Sequence, residues 1–286
     1  MTKRRRTARW LAGCAVGCTA VTVVLVVFAG VGYLYVRDAF QGIEKAGRIQ
    51  QALVERHGEP SEFIPPSDGS IPSARLELFL SIRESLRERQ SGLEGVFSRF
   101  PPEEVVQNEG FFNVVRTLKA LADMMPPIIE YLEARNRLLL ESEMGLGEYL
   151  YIYCLSYYSW LGHEPEDGPI PARGEGSGHG RLFGGPDSTF APHKVRRRYR
   201  QFMLAVTSGQ LSSLGEDSQE PWTKALRGEI RRFQSDPGSV LWQDGLPPAL
   251  EQSLAPYKES LESTYNRSIN CFELPLSDQE EWTLDS

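Results

Sequence analysis

The 286-residue sequence lacks the local motifs that the commonest enzyme classes need. It holds no HExxH or CxxC spacing for a metal, no GxxxxGK or GxGxxG phosphate loop, and no GxSxG nucleophile elbow. Its four histidines are scattered, and no second histidine follows His163 one turn later. We therefore expect no metal site and no cofactor, and no reaction can be assigned from the sequence.

Cysteine is scarce too. Cys14 and Cys18 lie in an apolar N-terminal segment, so Cys154 and Cys271 are the two thiols of the remaining chain. A disulfide-rich scaffold is excluded, and stability must come mainly from a hydrophobic core. A bridge between Cys154 and Cys271 would tie the C-terminal region to an aromatic helix, whereas the alternative for Cys154 is a buried, apolar role.

Net positive charge is confined to the N-terminal end of the sequence. The formal net charge is −7, and residues 1–36 hold five basic residues and no acidic one, so the remaining chain carries about −12. Phosphate backbones are bound by clustered positive charge. We therefore expect no nucleic-acid partner.

Charged residues are absent from 10–36, a stretch of 27 mostly apolar residues. A helix of this length spans roughly 40 Å, and a bilayer core of about 30 Å needs roughly 20 apolar residues. Basic residues crowd positions 1–9, whereas charges of both signs follow residue 36. The positive-inside rule then predicts one transmembrane helix over 10–36, with a basic cytoplasmic tail and an extracytoplasmic C-terminal domain.

Three other features of this segment leave alternatives open. A cleaved signal peptide could end at 27–29, although its apolar region would be longer than usual. The residues before Cys14 resemble the lipobox of bacterial lipoproteins, but the apolar stretch follows that cysteine instead of preceding it. Gly13 and Gly17 form a GxxxG pattern, which is typical of helices that dimerise in membranes.

Beyond the membrane segment, the pattern predicts a mainly α, irregular multi-helix domain with little or no sheet. A juxtamembrane helix is expected over 37–58, followed by a domain over 59–286 with helices opened by Pro72, Pro192, Pro221 and Pro247-Pro248. We expect Pro126-Pro127 to separate two helices or to kink one sharply. Residues 163–192, rich in Gly, Pro and Ser, predict a mobile loop, and the chain from Asn270 reads as extended.

The most apolar stretch outside the membrane segment is 146–162, which is too short after Glu148 for a second span. Its length favours a buried helix. Its aromatic residues suggest either a partner or ligand surface or a core helix whose hydroxyls reach partners between neighbouring elements. They are Tyr149, Tyr151, Tyr153, Tyr157, Tyr158 and Trp160.

Two charged features have a functional and a structural interpretation. Glu148 could act as a catalytic acid of raised pKa, or it could stabilise the first turn of the helix. The basic cluster Lys194–Arg200 could meet anionic lipid headgroups, or it could pair with the excess acids of the domain.

By elimination we expect a non-catalytic, membrane-anchored interaction or structural module of the cell envelope. Its partner would be an envelope protein or a second copy of the chain. The alternative is a membrane-tethered hydrolase that acts on an envelope component through carboxylates near 146–162. An enzyme should show a pocket with convergent polar groups, and a binding module should show an exposed apolar or aromatic patch.

Overall fold

The computed structural model describes residues 44–97, 111–168, 191–215 and 218–274, and the side chains of 96–97 and 111–124 are not described. The chain divides into two units, 1–45 and 46–286. The predicted tail, membrane helix and Gly13–Gly17 face lie outside the described residues. Within them, no helix is both long and apolar enough to cross a membrane.

The described chain is helical throughout and contains no strand, which confirms the mainly α class. Residues 44–57 form α1. Helices α2 to α10 follow in chain order as Ser73–Ser85, Arg87–Phe97, Phe111–Glu141, Leu146–Tyr153, Pro192–Leu214, Pro221–Ser235, Pro248–Leu254, Lys258–Thr264 and Asn270–Glu273. A π-helix, Cys154–Trp160, continues α5, and three single turns of 3₁₀ helix, Pro60–Glu62, Ala255–Tyr257 and Arg267–Ile269, link other elements.

Proline marks where several helices begin. Pro192, Pro221 and Pro248 each occupy the first turn of α6, α7 and α8. The ring fixes φ near the helical value, and the missing N–H would have no helical partner at this position. Pro256 falls in the 3₁₀ turn between α8 and α9. The predicted helix starts at 192, 221 and 247–248 therefore agree with the structure.

Two predictions about helices need correction or narrowing. Helix α4 continues through Pro126 and Pro127 as one element of 31 residues, so the proline pair does not separate two helices, and a sharp kink stays a prediction. The two prolines remove two backbone N–H donors. The other turns of this long helix keep their backbone hydrogen bonds, so the helix is not interrupted. The start of the predicted extended tail is not extended, because 270–273 form the short helix α10, and residues 275–286 lie outside the described part of the chain.

The core surrounds α5 and the π-helix. From Leu146 to Tyr158 every residue except Glu148 is buried. Helices α2 and α6 present apolar faces to this element, as shown by ring contacts of Tyr149 with Phe79 at 5.2 Å and of Tyr158 with Tyr199 at 5.3 Å. Burying such side chains stabilises the fold by roughly 1.5–3 kcal/mol each.

Glycine permits one close approach to this core. A Cβ on Gly147 would lie 2.7 Å from the Cβ of Phe63 and would overlap the Pro60 carbonyl oxygen. Helix α5 can therefore pack directly on the turn at 60–63, which follows α1.

Candidate functional site

The π-helix aims two tyrosines at one acceptor. Tyr153 and Tyr158 are five residues apart, and in an α-helix, at 3.6 residues per turn, they would point in different directions. The i→i+5 pattern of a π-helix widens the turn and brings such residues to the same side. Both hydroxyls donate to Oδ1 of Asn270, at 2.8 Å each.

The aromatic residues singled out from the sequence lie in the interior. Tyr149, Tyr151, Tyr153, Tyr157 and Tyr158 are each at most 3% exposed, and Trp160 packs half-buried against the core. These side chains cannot form the exposed partner surface that was one interpretation of the sequence. Their arrangement is that of a core helix, because 146–158 is enclosed by neighbouring helices on every side but that of Glu148.

A fully buried carboxylate lies beside this helix. Glu273 of α10 accepts hydrogen bonds from Tyr131 at 2.6 Å and Tyr149 at 3.2 Å, and it forms an ion pair with Arg83. Arg135 donates to its second carboxylate oxygen at 2.9 Å. Arg83 and Glu273 are 0% exposed and Arg135 is 4% exposed. One buried acid is thus enclosed by two cations and two hydroxyls.

The charges of this network favour the ionised acid. Burial alone would raise the pKa of Glu273, but the guanidinium groups of Arg83 and Arg135 and the Tyr131 hydrogen bond outweigh it, so the pKa is lowered. Burial raises the pKa of Tyr131 and of Tyr149, which keeps both hydroxyls protonated as donors. We name Arg83, Arg135, Tyr131, Tyr149 and Glu273 the carboxylate network.

Asn270 connects the tyrosines to the chain at 164–167. Its Nδ2 lies within hydrogen-bonding distance of the carbonyl oxygens of Glu164, Pro165 and Asp167, at 3.2, 2.9 and 2.7 Å. Residues 163–168, which the sequence assigned to a mobile loop, are therefore held by the folded body, while 169–190 lie outside the described residues.

A cleft of about 480 Å³ opens beside this loop. Its lining includes His163, Glu164, Glu166 and Asp167 from the loop, together with Arg196 and Arg267. We name it the loop cleft. Its volume is typical of a small-molecule pocket. Burial lowers the pKa of His163, whose ring stacks on Tyr265 with centroids 3.7 Å apart, so its neutral form is favoured at neutral pH.

Arg196 uses its donors within the loop cleft. It donates to both oxygens of Glu166, to Glu164 at 2.6 Å and to the Gly238 carbonyl. Arg200 donates to the carbonyls of Phe233 and Asp236 and lies over the Phe233 ring. Lys194, Arg197 and Arg198 also interact with neighbouring groups. Arg196 thus pairs with acids of the domain, as the structural interpretation of Lys194–Arg200 expects, whereas Arg200 contacts backbone carbonyls.

Glu148, the acid considered for catalysis, is tied to Arg75. The guanidinium donates to both carboxylate oxygens, from Nε at 2.6 Å and from Nη2. This bond is the main cause of a raised pKa of Arg75. Both oxygens of Glu148 thus already accept from one guanidinium, which is the arrangement of a structural ion pair.

We expect Glu148→Gln to lower the free energy of unfolding by about 1 kcal/mol, because a bidentate and partly shielded ion pair is lost. Urea unfolding followed by circular dichroism measures this. The control is Glu143→Gln, since Glu143 is 72% exposed in its pair with Arg56. A loss of about 3 kcal/mol or more at position 148 would contradict a peripheral ion pair.

Other residues named from the sequence take simpler positions. Cys154 and Cys271 are both free and buried, so no bridge joins them in this structure. Within the described part of the chain, no group of three or more His, Cys, Asp or Glu side chains is arranged to hold a metal ion.

The sequence did not single out the residues that organise this centre. No local motif marks Arg83, Arg135, Asn270 or Glu273, and their partners are up to 190 residues away. The sequence carried one signal of a buried arginine. Arg83 has the helical spacing of Leu76 and Phe79, so it lies on the apolar face of α2.

Comparison with known proteins adds no further identification. The chain matches no protein-family model, no curated protein and no solved structure.

Proposed function

We propose that the chain is a membrane-anchored, non-catalytic interaction or structural module of the cell envelope. The observation that carries this proposal is that the polar groups around the aromatic helix, 146–158, form hydrogen bonds within the protein. The hydroxyls of Tyr131, Tyr149, Tyr153, Tyr157 and Tyr158 all bond to protein groups in the core. None of these five hydroxyls remains for a substrate.

The charged groups support the same proposal. The carboxylates of Glu148 and Glu273 and those of Glu164 and Glu166 in the loop cleft are each paired with an arginine. A general acid or base needs a group that can exchange its proton with a substrate. These four carboxylates already accept from arginine, so a substrate would first have to displace that arginine.

A partner would meet a mostly polar surface. Among the described residues, the large apolar side chains that stand exposed are Ile64 and Met125, at 54% and 36%. The exposed apolar or aromatic patch expected of a binding module is therefore not found among the described residues. We therefore propose a polar, reversible contact with an envelope protein for this part of the chain, and a separate contact through Gly13 and Gly17 if two copies associate.

The membrane anchor is tested by topology. A reporter that is active only outside the cytoplasm, fused after Ser286, should be active, because five basic residues precede the charge-free segment 10–36. A reporter that works only in the cytoplasm should be silent at the same position. The reverse pattern would contradict the proposed orientation. Intact mass measurement separates an anchor from a signal peptide, which would leave a chain that begins near Gly30.

The interaction role is tested by crosslinking the full chain in its native membrane and purifying it under denaturing conditions. We expect one or a few specific partners, and a Gly13→Leu/Gly17→Leu variant should lose any self-crosslink while keeping the others. An absence of specific partners, together with turnover of an envelope substrate that Glu148→Gln abolishes, would favour the hydrolase.

The loop cleft is the observation that favours the hydrolase as a second candidate. It gathers three acidic side chains, Glu164, Glu166 and Asp167, beside neutral His163. An enzyme that used it would lose turnover on replacement of Asp167, which is less tightly paired than Glu166, since the Nε of Arg267 lies 3.9 Å from its carboxylate.

A further inference from the structure

The last described segment, 267–274, is joined to the rest of the core by side-chain bonds as well as by packing. We name it the C-terminal clasp. Its Asn270 bonds to Tyr153, Tyr158 and the 164–167 loop, and its Glu273 forms part of the carboxylate network. Ile269, Phe272 and Leu274 fill the space between these bonds.

The backbone changes direction just before the clasp. Tyr265 and Asn266 are extended, with φ and ψ of −68° and 137° and of −138° and 111°, between helix α9 and the following 3₁₀ turn. Such a two-residue extended link can absorb a rotation without breaking helical hydrogen bonds. The clasp can therefore move as a unit relative to α9.

The charge of Glu273 holds the C-terminal clasp against the core. Glu273 is the one acid among residues 267–274, and its carboxylate neutralises Arg83 and Arg135, which are buried with it. If that charge is lost, two guanidinium groups remain in the core without a counter-ion, a situation that is strongly unfavourable in a low-dielectric interior. Moving the clasp outwards then admits water to both cations.

We propose that the C-terminal clasp is a conformational switch that opens as a unit when Glu273 loses its charge, while the helical core remains folded. Opening exposes Cys271, which the closed clasp keeps 3% exposed. Cys154, which lies on the π-helix and is 0% exposed, stays buried. The two thiols thus report separately on the clasp and on the core.

The groups that face Glu273 define the pH response. They are Arg83 from α2, Tyr131 and Arg135 from α4, and Tyr149 from α5. Arginine and buried tyrosine titrate far above neutral pH, so Glu273 is the member that changes charge on acidification. Because its pKa is lowered, the clasp opens in acid below the ordinary range of glutamic acid and stays closed at neutral pH.

The test measures thiol exposure in the full chain. The variant Glu273→Gln and the wild type are treated at about pH 7 with a dipyridyl disulfide, and each modified cysteine is located by peptide mass spectrometry. We expect Cys271 to react about 100-fold faster in the variant, because loss of one partner of a buried ion pair shifts the opening equilibrium by at least this factor. Cys154 should still react at least about tenfold more slowly than Cys271, because it becomes accessible only when the whole core unfolds.

The matched control is Glu262→Gln, which removes an exposed carboxylate of α9 paired with Lys258. It should leave both rates unchanged. Equal rates at Cys154 and Cys271 in the Glu273 variant would mean that both thiols wait for the whole core to open and would overturn the proposal, as would an unchanged rate at Cys271.

If Glu273→Gln does not fold, the wild type can be used to test whether the clasp opens before the core. In rising urea below the main transition, Cys271 should become reactive at a lower concentration than Cys154 and with a weaker dependence on urea, as expected for local opening. A common midpoint and a common slope for the two thiols would overturn the proposal.

Discussion

Replacing Glu273 with glutamine is expected to lower the free energy of unfolding by about 3–5 kcal/mol, because two buried arginines lose their counter-charge. This is a large share of the roughly 5–15 kcal/mol that stabilises a typical domain. Glu273 is 0% exposed and accepts bonds from Tyr131, Tyr149, Arg83 and Arg135, so neither water nor another acid can take its place. Urea unfolding of the full chain in detergent measures the change.

The matched control is Glu84→Gln. Glu84 lies on α2, as Arg83 does, and forms an exposed ion pair with Arg87 of α3. We expect a change below about 0.5 kcal/mol there. Removing the whole charge set, as Glu273→Leu with Arg83→Met and Arg135→Met, should restore most of the lost stability, since no buried charge is then left unpaired. A triple variant no more stable than Glu273→Gln would show that packing, not charge, dominates at this position.

The same network predicts an acid dependence. The pKa of Glu273 is lower in the folded chain than in the unfolded chain, so its contribution is complete above the unfolded value of about 4.3. That contribution is lost as the pH falls through the folded value. The difference between the wild type and Glu273→Gln should therefore be constant from about pH 5 to 8 and should shrink below about pH 4.

The helical class could be predicted because it depends on local rules. The apolar positions of α2, α6 and α7 recur at helical spacing, and Pro192, Pro221 and Pro248 stand where a missing N–H does no harm. The burial of 146–158 was predicted from its length and its apolar composition. These features need no knowledge of what the helices pack against.

The organisation of the candidate site could not be predicted, because it depends on contacts distant in sequence. The change from α5 to a π-helix at Cys154 has no residue signature of its own, and it decides that Tyr153 and Tyr158 reach the same atom. Glu273 is one of 38 acidic residues in the chain. What distinguishes it is the position of Arg83 and Arg135, which only tertiary packing brings to it.

The tail from Asn270 shows the same limit. The sequence predicts an extended tail from Asn270. In the structure, Asn270–Glu273 is helical and buried, because its polar side chains find Tyr153, Tyr158, Arg83 and Arg135 in the core. Local propensity is weak in a segment this short, so tertiary partners decide its conformation.

The second large effect is expected at Asn270. Asn270→Asp keeps the shape of the side chain but replaces the Nδ2 donor, which faces the carbonyl oxygens of Glu164, Pro165 and Asp167, with an oxygen. We expect a loss of about 3 kcal/mol at about pH 8, since a buried donor is removed and a negative charge then faces three carbonyl dipoles. Tyr153 and Tyr158 can still donate to the other oxygen, which limits the loss.

The pH dependence of this variant separates repulsion from simple loss of packing. The folded chain should raise the pKa of the new carboxyl group, because its protonated form can donate to one of the carbonyls. A raised folded pKa means that the penalty is smallest in acid and grows as the pH rises through the unfolded value, so the loss should be smaller at about pH 5 than at about pH 8. Asn266→Asp is the control, because Asn266 accepts from the Ser268 N–H and an aspartate can do the same. Equal losses at the two positions, or a loss at Asn270 that does not change with pH, would contradict the role of Asn270 as the donor that holds the 164–167 loop.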